Sequence, residues 1–127
     1  MYVLGIESSC DETSAAVAEL DGGKRRIAAD IVASQIDVHR LYGGVVPEIA
    51  GRAHIEAVSR ITREALDTAG IRLSDVGLVA VTSHPGLIGA LLVGVNFAKS
   101  LAVANGIPLV GVDQVRAHIA AAYTAYE

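Results

Sequence analysis

The chain has 127 residues, 52% hydrophobic and 19% charged, enough for one domain with its own core and incompatible with a disordered chain. Fourteen acidic residues against ten basic ones give a net charge of −4, which disfavours a stand-alone nucleic-acid binder, since such proteins need a basic face. A single cysteine excludes a disulfide framework and suits a reducing cytosol.

No leader pattern follows Met1, and the longest apolar run, Leu87 to Val95, falls well short of a bilayer span. Tyr2–Ile6 reads as a short apolar strand, Glu7–Glu12 as a polar turn, and Thr13–Leu20 as a second strand lying between two layers. Asp21-Gly22-Gly23 is a hairpin signal, and Arg25–Ser34 continues as a third strand, so the three should form an antiparallel meander. Asp37–Val46, with Tyr42-Gly43-Gly44 inside it, reads as a loop. Pro47 suits a first helical turn. From Glu48 the apolar positions Ile49, Ala53, Val58, Ile61, Ala65 and Leu66 recur at helical spacing, and Gly70 is placed to close the helix. Val76–Thr82 is a valine-rich strand covered on both faces, and Pro85-Gly86 ends it. Leu87–Asn105 is almost wholly apolar and predicts a central, buried helix. Pro108–Val112 predicts a short buried strand, and Gln114–Tyr126 a last helix with Ile119, Ala120, Ala122 and Tyr123 turned inward. The order βββαβαβα predicts a mixed α/β sheet, antiparallel first and parallel afterwards, with helices on its faces. No capping residue closes the last helix at Tyr126-Glu127, the pattern of a cut chain or a frayed terminus.

Four places carry chemistry-bearing residues. Glu7-Ser8-Ser9-Cys10-Asp11-Glu12-Thr13 lies between two strands. It is either an ordinary polar hairpin loop or a site where hydroxyls and amides hold a phosphate and carboxylates hold its magnesium ion. It lacks the P-loop pattern. Cys10 has no activating base beside it, so a thiol nucleophile is disfavoured. Pro85-Gly86-Leu87-Ile88-Gly89 is a tight turn with close packing, or a place where a ligand approaches the backbone at a helix N-terminus; His84 before it reads as a loop residue. Gln114 and His118 share one helix face at i and i+4. Two histidines there would suggest a metal, but glutamine leaves one good nitrogen ligand. His39, Glu48, Arg52 and His54 read as a solvated loop and helix start, and Lys24-Arg25-Arg26 as a solvated hairpin tip.

Three ordered blocks resemble the signatures of the tRNA N6-adenosine threonylcarbamoyltransferase family (TsaD/Gcp, formerly O-sialoglycoprotein endopeptidases). They are Gly5-Ile6-Glu7-Ser8-Ser9-Cys10-Asp11-Glu12-Thr13; Tyr42-Gly43-Gly44-Val45-Val46-Pro47-Glu48 with Arg52 and His54; and Pro85-Gly86-Leu87-Ile88-Gly89-Ala90-Leu91-Leu92-Val93-Gly94. The resemblance implies a ribonuclease-H-like (actin-like ATPase) lobe, with residues 1–127 the N-terminal lobe of a two-lobed transferase whose C-terminal lobe is absent. It implies transfer of threonylcarbamoyl from threonylcarbamoyl-adenylate to N6 of the adenosine beside the anticodon. The expected setting is the cytoplasm, away from membranes, with a TsaB-type paralogue and a TsaE-type ATPase, and tRNA reached only through the full-length complex.

By the same resemblance Asp11 and Glu12 fall on the acidic pair near the reacting centre, Ser9 lies beside the acyl phosphate, and Gly86 joins it as a phosphate-binding position. The family holds Fe or Zn, which polarises the carbonyl or holds the phosphate, through an H-x-x-x-H pair and an aspartate from the second lobe. Here His118 matches the second histidine and Gln114 stands at the first, so metal binding by this chain is expected to be weak or absent. Arg116, Ala117 and His84 also depart from the family's usual residues. The isolated lobe should be inactive and prone to self-association. A non-catalytic module like the inactive TsaB-type paralogue is the rival reading, although that paralogue typically lacks the Asp11-Glu12 pair. A sugar-kinase-like phosphotransferase is less favoured, and a metallopeptidase least, with no base beside His118.

Overall fold

The computed structural model describes residues 1–125. Its strands are β1 (Tyr2–Glu7), β2 (Glu12–Asp21), β3 (Lys24–Ser34), β4 (Val76–His84) and β5 (Leu109–Asp113). Its helices are α1 (Ile36–Arg40), α2 (Pro47–Ala69), α3 (Ile88–Asn105) and α4 (Gln114–Ala125), with a short 3₁₀ turn at Leu73–Asp75. The strands form one sheet in the order β3-β2-β1-β4-β5. β1 and β3 pair antiparallel with β2, while β4 pairs parallel with β1 and, across the α3 link, with β5. The mixed sheet predicted from the βββαβαβα order is therefore present.

Register decides which side chains share a face. Leu4 opposes Val17 and Ile6 opposes Ala15 across β1 and β2, while Val79 and Val81 stand beside Leu4 and Ile6 on β4. All six are buried, and directly opposed residues lie on the same side of a sheet. This side carries the core, to which α2 contributes Val58, Ile61 and Ala65 and α3 contributes Ala98. The two helices also pack on each other, and a Cβ built on Gly51 of α2 would touch the backbone of Gly89 on α3 at 3.9 Å. The alternate residues Val3, Gly5, Ala16, Ala18, Leu78 and Ala80 face the other way and are only half-buried.

Helix α2 opens with Pro47 at its first turn and closes at Gly70 with φ 71°, a left-handed cap that glycine adopts without a Cβ penalty. Its buried stripe is Ala50, His54, Ala57, Val58, Ile61, Thr62 and Ala65. That stripe is rotated by about one position from the expected one, leaving Ile49 and Ala53 half-buried and placing His54 inside.

The C-terminal half is less covered than its hydropathy predicts. Helix α3 is expected to be central and buried, yet Ile88, Leu92 and Val103 are exposed, and only its Ala90, Leu91, Gly94, Ala98 and Ala102 side is buried. Its 18 residues have the mean hydropathy, 1.4, of a membrane span; packing one side on a sheet and a second helix is what a core helix does. Strand β5 is an edge strand, with Val110 and Gly111 exposed, rather than a buried one. Helix α4 rests against β5 and β4 but buries none of its residues, and Ile119, Ala120, Ala122 and Tyr123 are exposed, contrary to the inward orientation expected of them. Tyr126, the expected end of this helix, lies outside the described residues.

Candidate functional site

Strands β1, β4 and β5 run parallel, so their carboxyl ends Glu7, His84 and Asp113 meet at one sheet edge, where open α/β sheets bind their ligands. The turn Ser8–Asp11 projects from this edge. Ser8 and Ser9 are buried, Cys10 and Asp11 half-buried, and Glu12 exposed.

Ser8 anchors the root of the turn inside α3. Its Oγ donates to the Ala90 carbonyl at 2.7 Å and accepts the Gly94 amide at 3.0 Å. The hydroxyl thus sits between two backbone groups one helical turn apart. A Cβ on Gly94 would lie 2.5 Å from that oxygen, so only glycine admits it. Glu7 bonds the Ser9 amide and receives the Thr82 hydroxyl.

Three successive carbonyls of the turn are then held by three different elements. The Leu87 amide, just before α3, donates to Ser9 O at 2.9 Å. His54 of α2 bonds Cys10 O through Nε2 at 2.8 Å. The Gln35 amide, just before α1, donates to Asp11 O at 3.0 Å. Beyond these bonds Asp11 is left half-buried in the turn, and Glu12, the first residue of β2, is exposed. Gly86 closes on this turn from β4, and a Cβ there would meet Ser9 O at 2.7 Å. Gln114 reaches it from α4, its Nε2 donating to Ser9 Oγ. Ser9, Gly86 and Gln114, nominated from different parts of the sequence, are therefore brought together, with Asp11 two residues along the same turn. His118, one turn beyond Gln114 on α4, is exposed.

The solvated reading of His39 and His54 is overturned. His54 is 0% exposed and His39 4%, and both belong to one polar network. Thr13 Oγ1 lies 2.7 Å from His54 Nδ1, and Gln35 Nε2 lies 3.4 Å from the same nitrogen. Gln35 Oε1 is 2.8 Å from His39 Nε2, and the Val46 amide donates to His39 Nδ1 at 3.1 Å. The signal for this was the helical stripe: His54 is four residues from both Ala50 and Val58, so burying those positions buries the histidine. Gln35 carried no comparable signal. Glu48 and Arg52 are solvated as expected, forming an exposed pair at 2.7 Å. Arg26 likewise pairs with Glu19 across the hairpin.

Burial pushes the His54 pKa down, opposed by its Cys10 carbonyl bond and by Glu7 and Asp11. Burial first, then Asp11 and Glu7, pushes the Cys10 thiol up, so it stays protonated and is a poor nucleophile. At the far end of the edge, His84 Nε2 lies 3.3 Å from Asp113 Oδ2, while Asp113 Oδ1 accepts the Arg116 amide at 3.0 Å. His84 is thus the last residue of β4, paired across to β5, rather than a loop residue.

An iron or zinc ion fits these residues poorly. Gln114 commits its amide nitrogen to Ser9 and offers only a weak amide oxygen, which leaves His118 as the one good nitrogen ligand of the pair. Among the described residues no three His, Cys, Asp or Glu side chains come together to hold a metal.

The profile described as "TsaD: tRNA N6-adenosine threonylcarbamoyltransferase" matches residues 26–127. The chain belongs to this family. It is 59% identical over 98% of its length to the tRNA N6-adenosine threonylcarbamoyltransferase of Moorella thermoacetica, covering 35% of that protein. The Geobacillus thermodenitrificans enzyme of the same name is 56% identical over 94% of the chain, with 34% of the relative covered. The chain thus spans about a third of the length of the curated relatives it matches. Among solved structures it is similar to YeaZ from Pseudomonas aeruginosa, with a TM-score of 0.65, 20% identity, and 89% of this chain and 45% of that one covered. It is also similar to Thermus thermophilus RuvC, with a TM-score of 0.55, 16% identity, and 89% and 64% coverage. The fold of this family member is ribonuclease-H-like.

Proposed function

We propose that this chain is the N-terminal lobe of a cytoplasmic tRNA threonylcarbamoyladenosine-forming transferase. The observation that carries this reading is the turn bearing Ser9, Asp11 and Glu12, anchored at the carboxyl edge of the sheet with Gly86 closed on Ser9, in a member of this family. In the reaction, N6 of the target adenosine attacks the carbamoyl carbon of threonylcarbamoyl-adenylate. A C–N bond forms, the bond to the phosphate oxygen breaks, and the adenylate leaves. Asp11 is the group we assign to take the N6 proton, with Glu12 beside it. The Ser9 hydroxyl and the glycine backbone at Gly86 border the leaving phosphate. A magnesium ion arriving with nucleotide phosphates would be bound largely by them and by water.

The lobe supplies one wall of the site, and the adenylate needs a second. The test is a transferase assay with threonylcarbamoyl-adenylate and tRNA on the full-length protein. Asp11→Asn should lower kcat by about 100-fold or more, and the 127-residue chain alone should give no turnover. An Asp11→Asn enzyme with unchanged kcat overturns the assignment. Pairing with a TsaB-type paralogue, and work alongside a TsaE-type ATPase, belong to the same proposal.

A second reading, a non-catalytic pairing module, is favoured by Gln114 at the expected ligand position and by the exposed Ile55, Ile88, Leu92 and Val103 of α2 and α3. Full activity of the full-length protein with purified tRNA would set that reading aside.

A further inference from the structure

The partners around His54 fix its protonation. Its Nε2 faces a carbonyl, Cys10 O, at 2.8 Å, and must donate. Nδ1 is then the acceptor for the Thr13 hydroxyl at 2.7 Å. The same constraint runs outward. The Val46 amide donates to His39 Nδ1, so His39 Nε2–H donates to Gln35 Oε1, and the Gln35 amide turns its N–H toward His54 Nδ1 and the Ala50 carbonyl. Every bond in this relay is satisfied by two neutral imidazoles.

Buried networks satisfied throughout rigidify what they touch. One of its members, His39, lines a shallow open cleft of about 360 Å³ together with Asp11, Ile36, Arg40, Gly43 and Val45. One end of the network holds the Cys10 carbonyl in the acidic turn. The other holds Val46, where the Tyr42-Gly43-Gly44 loop enters α2.

We propose that His54 is the positioning residue of the acidic turn: its Nε2–H, oriented by Thr13 and Gln35, holds the Cys10 carbonyl and thereby fixes where the Asp11 carboxylate stands. The role of Asp11 rests on the transferase reading above; the positioning itself does not. His54 touches no reacting atom. It acts through one peptide unit, and a displacement of about 1 Å at a reacting group can cost about 100-fold in rate.

Two substitutions separate donation from packing. His54→Gln keeps a donor at the distance of Nε2, whereas His54→Asn reaches only the Nδ1 position and loses the bond to Cys10. On the ¹⁵N-labelled chain, histidine ring spectra at pH 7 should show His54 protonated at Nε2 and bare at Nδ1. The amides of Cys10, Asp11 and Glu12 should shift in H54N and stay near their original positions in H54Q. An Nδ1–H tautomer or an imidazolium at residue 54, which needs no variant to detect, overturns the proposal. So do unmoved turn amides in H54N. In the full-length transferase, H54N should lower kcat by about 10- to 100-fold with little change in KM, and H54Q should restore most of it. Equal losses in both variants would mean that shape rather than donation matters, and the proposal falls. If the ring and amide spectra behave as stated while Asp11→Asn leaves kcat unchanged, the functional reading fails and the positioning role stands.

Discussion

At the scale of single residues, the acidic turn depends on side chains that are small or absent. The Ser8 hydroxyl lies between Ala90 O and Gly94 N because residue 94 has no Cβ. Gly94→Ala places a carbon 2.5 Å from Ser8 Oγ, and overpacking of this kind costs about 1–3 kcal/mol. Urea unfolding should show a lower midpoint with an unchanged slope. Ser8→Ala in the same chain should recover part of the loss by removing the clashing oxygen. His54 adds a pH dependence. Its folded-state pKa is lowered, chiefly by burial, with His39 acting in the same direction and with the Cys10 carbonyl, Glu7 and Asp11 opposing. The folded chain therefore binds fewer protons at this site than the unfolded chain, whose histidine titrates near about 6.5. Stability should be intact above that pH and fall as the pH drops below it. Denaturation midpoints measured between about pH 8 and pH 5 should show this slope, and it should flatten in His54→Gln.

At the scale of elements, local signals were legible where one feature dominated. Asp21-Gly22-Gly23 marked the hairpin, Pro47 and Gly70 bracketed α2, and the helical link between β4 and β5 marked their parallel pairing. Helix α1 was hidden because five residues are too few to show a period, and Tyr42-Gly43-Gly44 spoke for a loop. The misreadings of α3, β5 and α4 share one cause. Hydropathy reports how strongly a segment prefers burial, not whether this stretch of chain contains the surface that buries it. The site was legible as residue types but not as a network, because Gln35 and His54 meet through tertiary packing alone. Helix α4 has its own weak point. Asp113 caps it by accepting the Arg116 amide, the bond that chiefly holds its carboxyl below the usual range. Asp113→Ala should weaken the cap by removing this acceptor. Since α4 buries no residue, hydrogen exchange should rise within 114–125 while the global unfolding midpoint barely moves.

At the scale of the whole molecule, apolar side chains outnumber the surfaces available to cover them. Ile55, Ile88, Leu92 and Val103 stand exposed along α2 and α3, and Val115, Ile119 and Tyr123 along α4. Exposed apolar area of this extent favours association. Sedimentation of the chain over a range of concentrations should show a concentration-dependent rise in mass. Leu92→Glu should return it to monomer, whereas a single species of monomer mass throughout would show that these faces do not self-pair. The ribonuclease-H-like core itself needs no such partner, because Leu4, Ile6, Val17, Val79 and Ile61 are already enclosed.

Holding Ser9, Cys10 and Asp11 by amides or an imidazole from three separate segments has a kinetic meaning. Beyond the local Glu7 bond to the Ser9 amide the turn is held from outside, so it sets fully only after the approaches to α1 and α3 and the body of α2 have docked. Any local opening that lifts one of them releases the carboxylates together. Reactive geometry at this edge is therefore a certificate of completed folding, and on warming it should vanish before the sheet melts.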